Sequence, residues 1–283
     1  MDLNADGHLD ILSGSYSRMD KFMAGLFQVL WGNPDGTFQS ATQLVGSDGE
    51  PLIIPATEED MVDRICTRPT AVDINGDGEL DIVSGNFGGT FYVFFGDGNN
   101  RFNPSGEWLQ SAGKKLHVPH HSDPFFTDWD GDGDQDMLSG SAQGGVYLFI
   151  NNGTKRFPHF GPSQLIAKPS KTHGAQFGSE DLAGPQSSTR VWADDMNGDG
   201  KLDLLVGDNA TLNFPAEGLT TAEAQERYNG WIARQTELSK GFADASAADN
   251  QDEINARWEA HYNELENYVR QERTGFVWVY YQK

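Results

Sequence analysis

Short apolar runs alternate with acidic, glycine-bearing loops along the chain, and the pattern recurs four times. Each recurrence opens with the form D-x-[DN]-x-D-G-x-x-D, at residues 2–10, 73–81, 128–136 and 195–203. A short strand follows, at Ile11–Gly14, Ile82–Gly85, Met137–Gly140 and Leu204–Gly207. Next comes a glycine-led aromatic strand, at 25–31, 89–95, 145–150 and 275–281. Three of these run through Asx-Gly turns, which are hairpin signals, to Phe38, Phe102 and Phe157. A further strand is expected from each Phe, ending near Leu44, Leu109 and Leu165. Apolar pairs such as Ala71-Val72, Phe125-Phe126 and Val191-Trp192 precede most loops and predict another strand. Four short antiparallel strands per unit is the plan of a propeller blade. Such a sheet cannot bury its own faces, so neighbouring blades must stack. The expected fold is therefore all-β, a β-propeller of four-stranded antiparallel blades with about four repeats.

The rhythm breaks in the fourth repeat. Thr220 to Glu223 is a capping-box sequence, and Ala224, Tyr228, Trp231, Ile232 and Leu238 follow at helical spacing. Gly241 is the expected stop, and 243–250 reads as a linker. A second helix, capped from Asn250, is expected to carry Ile254, Trp258, Tyr262, Leu265 and Val269 on one face. The expected organisation is propeller repeats over 1–218, a helical hairpin over 219–273 and the resumed fourth blade over 274–283. Mutual packing accounts for the aromatics of the hairpin; a lid or partner-binding arm is the sharper reading.

Charge narrows the function. The chain of 283 residues has 42 acidic and 20 basic side chains, a formal charge of −22. Phosphate backbones and anionic lipid would repel it, so nucleic acid is not expected as a partner. The sequence has no apolar run long enough to span a membrane. One cysteine, Cys66, excludes a disulfide framework or a zinc ribbon. His117, His120 and His121 lie in an irregular Pro-bearing stretch, which favours a loop over a metal site. Asn152 and Asn209 open Asn-x-Thr acceptor patterns, relevant only in a eukaryotic secretory pathway.

The acid is concentrated in the four loops. Positions 1, 3, 5 and 9 supply oxygen side chains: Asp2, Asn4, Asp6 and Asp10; Asp73, Asn75, Asp77 and Asp81; Asp128, Asp130, Asp132 and Asp136; Asp195, Asn197, Asp199 and Asp203. The glycine at position 6 permits left-handed backbone. Hard oxygen donors suit Ca²⁺ over zinc or copper. By analogy with other oxygen-cage loops, position 7 gives its backbone carbonyl, at His8, Glu79, Asp134 and Lys201, and turns its side chain away. Up to four Ca²⁺ ions are expected. The third loop, with four carboxylates, is expected to bind most tightly. An EF-hand is excluded, because position 12 is Ser13, Ser84, Ser139 or Val206 and the flanks are strands.

These loops, with their Ser-Gly strands and glycine hairpins, resemble FG-GAP/VCBS repeats, the calcium-binding propeller repeats of integrin alpha subunits and of many secreted bacterial proteins. Asn86-Phe87-Gly88-Gly89 stands where that family has its Phe-Gly element. The resemblance covers about 1–214 and 275–281. It implies a propeller, typically of seven blades, with calcium in the hairpin loops, and an extracellular, cell-surface or periplasmic setting. Four repeats then imply a portion of a longer protein. The leading functional expectation is a non-enzymatic recognition or adhesion scaffold for an extracellular protein or polysaccharide. The alternative is part of a secreted polysaccharide lyase or hydrolase, with Arg64, Arg68, His120, His121 and Arg190 as candidates around the propeller axis.

Overall fold

The computed structural model describes residues 1–16, 25–55, 61–98, 101–170, 176–179, 182–244 and 251–283. The end of the Asp97 turn at 99–100, most of the anticipated linker (245–250) and the Asn250 cap lie outside them. The chain divides into two compact units. The first comprises Met1–Ser170, Gly184–Asp208 and Phe276–Lys283; the second comprises Lys171–Ala183 and Asn209–Gly275.

The first unit is a row of small antiparallel sheets in propeller-blade order. Blade 1 holds β1 (Ile11–Gly14), β2 (Phe27–Leu30) and β3 (Thr42–Gln43). Blade 2 holds β4 (Arg68–Val72), β5 (Asp81–Gly85), β6 (Phe91–Phe94) and β7 (Glu107–Trp108), followed by a small hairpin of β8 (Gln110–Ser111) and β9 (Lys114–Lys115). Blade 3 holds β10 (Asp123–Thr127), β11 (Asp136–Gly140), β12 (Val146–Phe149) and β13 (Gln164–Ala167). Blade 4 is built from β14 (Ser187–Asp194), the first part of β15 (Asp203–Pro215) and β17 (Val277–Tyr280).

The central strands read as unbroken apolar runs because both of their faces are covered. Ile82, Tyr92 and Phe94 pack with Phe27, Val29 and Ile54 of blade 1. The alternating residues Val83, Phe91 and Val93 pack with Met137 and Phe149 of blade 3. Leu138 and Leu148 then pack with Val191, Leu204 and Val206 of blade 4. Successive side chains point to opposite faces of a strand, so one run feeds two cores.

The Ser-Gly ending of these strands has a specific cause. A Cβ on Gly14, Gly85 or Gly140 would lie 1.8, 2.2 or 2.0 Å from the carbonyl oxygen of Thr67, Ser122 or Thr189, which leads into the next blade. The hydroxyls of those three residues accept the N–H of Ser15 (2.7 Å), Asn86 (2.9 Å) and Ser141 (2.9 Å). They donate in turn to the carbonyls of Leu26, Thr90 and Gly145. This is a repeated latch between neighbouring blades. Around Gly207, the fourth member of the series, a Cβ would meet open space.

The fourth strands differ from expectation: β3, β7 and β13 are short and begin well beyond the expected Phe. Phe38 and Phe102 bridge Gly32 and Gly96, but in blade 3 it is Phe160 that bridges the corresponding Asn151. Phe160 is buried, whereas Phe157 is 78% exposed in a longer turn. The motif matched the wrong phenylalanine because the turn is longer.

In the second unit, the later residues of β15 pair with β16 (Val269–Thr274). Two helices follow β15 in sequence, α1 (Thr221–Asp244) and α2 (Gln251–Asn263). The capping box forms both ways: Thr220 N donates to Glu223 Oε2 (2.9 Å) and Glu223 N to Thr220 Oγ1 (3.3 Å). Ala224, Tyr228 and Trp231 are buried as expected, and Trp231 stacks on His261 at 4.4 Å while its Nε1 donates to His261 O. Two details are corrected. α1 continues through Gly241, since a single glycine costs a helix only about 1 kcal/mol. Val269, expected on the second helix, opens β16, where it packs with Ala224, Tyr228 and Trp231.

Candidate metal centre

Each acidic loop joins strand 1 of its blade to strand 2, or leads directly into strand 2 in blade 1. All four loops share one internal hydrogen-bond frame. The glycine at position 6 donates to Oδ2 of position 1, in the pairs Gly7–Asp2, Gly78–Asp73, Gly133–Asp128 and Gly200–Asp195, at 2.8–3.1 Å. The position 5 N–H donates to the position 3 side chain, in Asp6–Asn4, Asp77–Asn75, Asp132–Asp130 and Asp199–Asn197. The position 7 N–H donates to the position 5 carboxylate, from His8, Glu79, Asp134 and Lys201 to Asp6, Asp77, Asp132 and Asp199. The backbone thus winds around the side-chain oxygens.

Position 9 has a role the sequence did not reveal. Its carboxylate is buried in every loop and bonded to backbone at both oxygens. Asp10 accepts Leu3 N and Gly32 N, both at 2.8 Å. Asp81 accepts Ile74 N (3.0 Å) and Gly96 N (2.8 Å). Asp136 accepts Trp129 N (2.9 Å) and Asn151 N (2.7 Å). Asp203 accepts Met196 N (3.1 Å) and Gln282 N (2.9 Å). One oxygen holds the start of the loop and the other holds the residue just past strand 3 of the same blade. The second of these bonds spans 15 to 79 residues of sequence and was invisible in one dimension.

Left-handed backbone occurs at position 6, as expected, and also at position 4: Ala5 (φ 55°), Gly76 (66°), Gly131 (79°) and Gly198 (78°). Three glycines at that position were the available signal. Ala5 adopts a conformation that L-residues with a Cβ resist.

The third loop stands apart electrostatically. Oxygens of Asp128, Asp130 and Asp136 converge within 4.8 Å of one another. The side chain of Asp134 is buried, interacts with Asn151 and lies outside that convergent group. Burial raises its pKa to about 6, with the charges of Asp132 and Asp136 adding to the shift. Burial also raises Asp136, against the N–H bonds from Asn151 and Trp129. In the second loop burial lifts Asp81 to about 6, opposed by the N–H groups of Gly96 and Ile74. By contrast, His8 N–H holds exposed Asp6 low, and Gly200 N–H does the same for Asp195. The three convergent carboxylates of Asp128, Asp130 and Asp136 are a donor set that suits a hard cation.

Residues 128–206, spanning this loop, blade 3 and the fourth loop, match the model of the FG-GAP-like repeat. The chain carries an FG-GAP-like repeat. The other acidic loops share the three frame bonds and the position 9 anchor, and the blades repeat its strands. No curated protein matches the chain. Among the described residues, no helix is long and apolar enough to cross a membrane.

The axis candidates are only partly brought together. Arg68 donates from Nη1 to His121 O (3.1 Å), and Arg190 Nε pairs with Asp123 Oδ2 (3.1 Å). Arg64 lies in a short 3₁₀ turn over Met61–Arg64. Cys66 is buried, and burial raises its thiol pKa.

Proposed function

We propose that the FG-GAP-like blades form a calcium-stabilised recognition scaffold that works outside the cytoplasm, presenting a surface to a protein or polysaccharide. The convergence of Asp128, Asp130 and Asp136 carries this reading. Positions 1, 3, 5 and 9 of each loop would hold the ion, with the position 7 carbonyl of His8, Glu79, Asp134 and Lys201. The ion's contribution is to neutralise the carboxylates and so hold the strand connections closed. Loss of that neutralisation leaves like charges a few ångströms apart, where repulsion is strong. The test is thermal unfolding with and without chelator. The melting temperature should fall by roughly 10 °C or more, a shift corresponding to a few kcal/mol in a domain of this size. Ca²⁺ should restore it and Mg²⁺ should restore less. A melting curve indifferent to chelator sinks the proposal.

A further inference from the structure

The three inner strands β4, β10 and β14 align a row of side chains that the repeat itself does not require. In each, the residue before the latch hydroxyl is left-handed, at Cys66 (φ 54°), His121 (50°) and Ser188 (50°), so that strain belongs to the fold. The residue after the hydroxyl changes from blade to blade: Arg68, Asp123, Arg190. Arg68 and Arg190 come from blades that are not adjacent, yet both reach the start of β10: Arg68 Nη1 donates to His121 O (3.1 Å) and Arg190 Nε pairs with Asp123 Oδ2 (3.1 Å). Burial, then Arg190, depresses the pKa of Arg68, and Asp123 opposes both. Asp123 pairs with Arg190 and its charge also acts on Arg68, so among the described residues two arginines share one carboxylate, a locally positive group in a chain of −22. His121 Nε2 is buried there with no partner among the described residues. Burial, then the two arginines, lower its pKa. Two residues further along the strands, Phe125 and Trp192 meet at 4.9 Å, and Trp192 is 56% exposed.

We propose that Arg68 and Arg190 bind the carboxylate of an acidic sugar, and that Trp192 stacks against its ring. This rests on the reading of the propeller as an extracytoplasmic recognition scaffold and names its ligand class. A guanidinium fork matches a carboxylate in two parallel hydrogen bonds. The exposed indole offers a flat apolar face with a polar edge, suited to a sugar ring more than to an acidic side chain. The site fits a lone uronate among neutral sugars. A continuous polyanion would meet the repulsion of the whole chain, whereas one carboxylate at a locally positive group is screened from distant acids beyond about 8 Å at physiological salt.

The test is calorimetric titration of the calcium-loaded chain with a xylo-oligosaccharide carrying one glucuronate, its uncharged counterpart, a galacturonate trimer and a short Asp-rich peptide. The singly charged sugar should bind, with the uncharged one at least about 10-fold weaker, as expected for loss of a charged hydrogen bond. Arg190→Gln and Trp192→Ala should each weaken binding roughly 10-fold, the first with some loss of melting temperature because Asp123 loses its partner and the second with melting temperature unchanged, while Arg270→Gln should leave binding unaltered. Trp192→Ala, at an exposed position, keeps the test open should the arginine variant misfold. Failure of both acidic sugars to bind overturns the proposal, as does equal binding of the uncharged sugar. Preference for the peptide, or binding indifferent to both site variants, also overturns it. Because the ion is saturating throughout, these outcomes are separate from the melting experiment, and either reading can fail alone.

Discussion

The first and third acidic loops have the same frame and different charge. Both wind the backbone around positions 1, 3 and 5, and both anchor position 9 through two backbone N–H groups. The first loop has Asn4 at position 3 and His8 at position 7; the third has Asp130 and Asp134 there. In the first, Asp6 is exposed and held below the usual carboxylate range. In the third, Asp134 is buried and raised to about 6. The frame is therefore a folding device common to all blades, and the number of crowded carboxylates is set independently on top of it. The comparison separates what hydrogen bonds supply from what a cation must supply.

The largest expected effect bears on the cation. Chelation should destabilise the chain as set out above, and the third loop should be the last to release its ion. The frame has a separate test. Asp81→Ala, measured in chelator so that no ion contributes, should cost about 3 kcal/mol, because two buried N–H groups lose their acceptor. A loss below about 1 kcal/mol would assign position 9 to the ion alone.

A contrast between joined and open strand ends gives the next effect. Gly140→Ala drives a Cβ to 2.0 Å from Thr189 O and should cost about 3 kcal/mol, while Gly207→Ala meets open space and should change little. Equal effects would mean that the latch does not couple blades.

The pH dependence separates the loops further. Asp134 and Asp81 have folded pKa values of about 6 against an ordinary 3.8. The folded chain therefore binds more protons than the unfolded chain between those values, and stability falls as pH rises through about 6. In chelator the melting temperature should drop from pH 5 to pH 7; with excess Ca²⁺ this slope should flatten. The smallest effect concerns position 4. Ala5→Gly should stabilise by about 1 kcal/mol by relieving left-handed alanine, and Gly131→Ala should cost a similar amount.

The blades were legible in the sequence because their apolar runs, glycines and acidic loops recur in order. The features that escaped it are set by distance across the fold. The two N–H groups on Asp136 come from residues on either side of it in sequence, Trp129 and Asn151, and nothing local marks them. Phe160 was hidden by a turn longer than its counterparts, so the nearer Phe157 matched the pattern. The burial of Asp134 beside Asn151 was not legible either, because Asn151 lies 17 residues further along the chain. Val269 had helical spacing from Leu265, but pairing with Pro215 on β15 fixes it in a strand.

The central claim is that the acidic loops are cation cages, and direct metal analysis tests it most simply. The protein, equilibrated in Ca²⁺ and freed of unbound ion, should retain up to four Ca²⁺ per chain. Asp130→Ala combined with Asp132→Ala should lower that count by one and remove the most tightly held ion. No bound calcium in the parent protein, or an unchanged count in the double variant, would contradict the account.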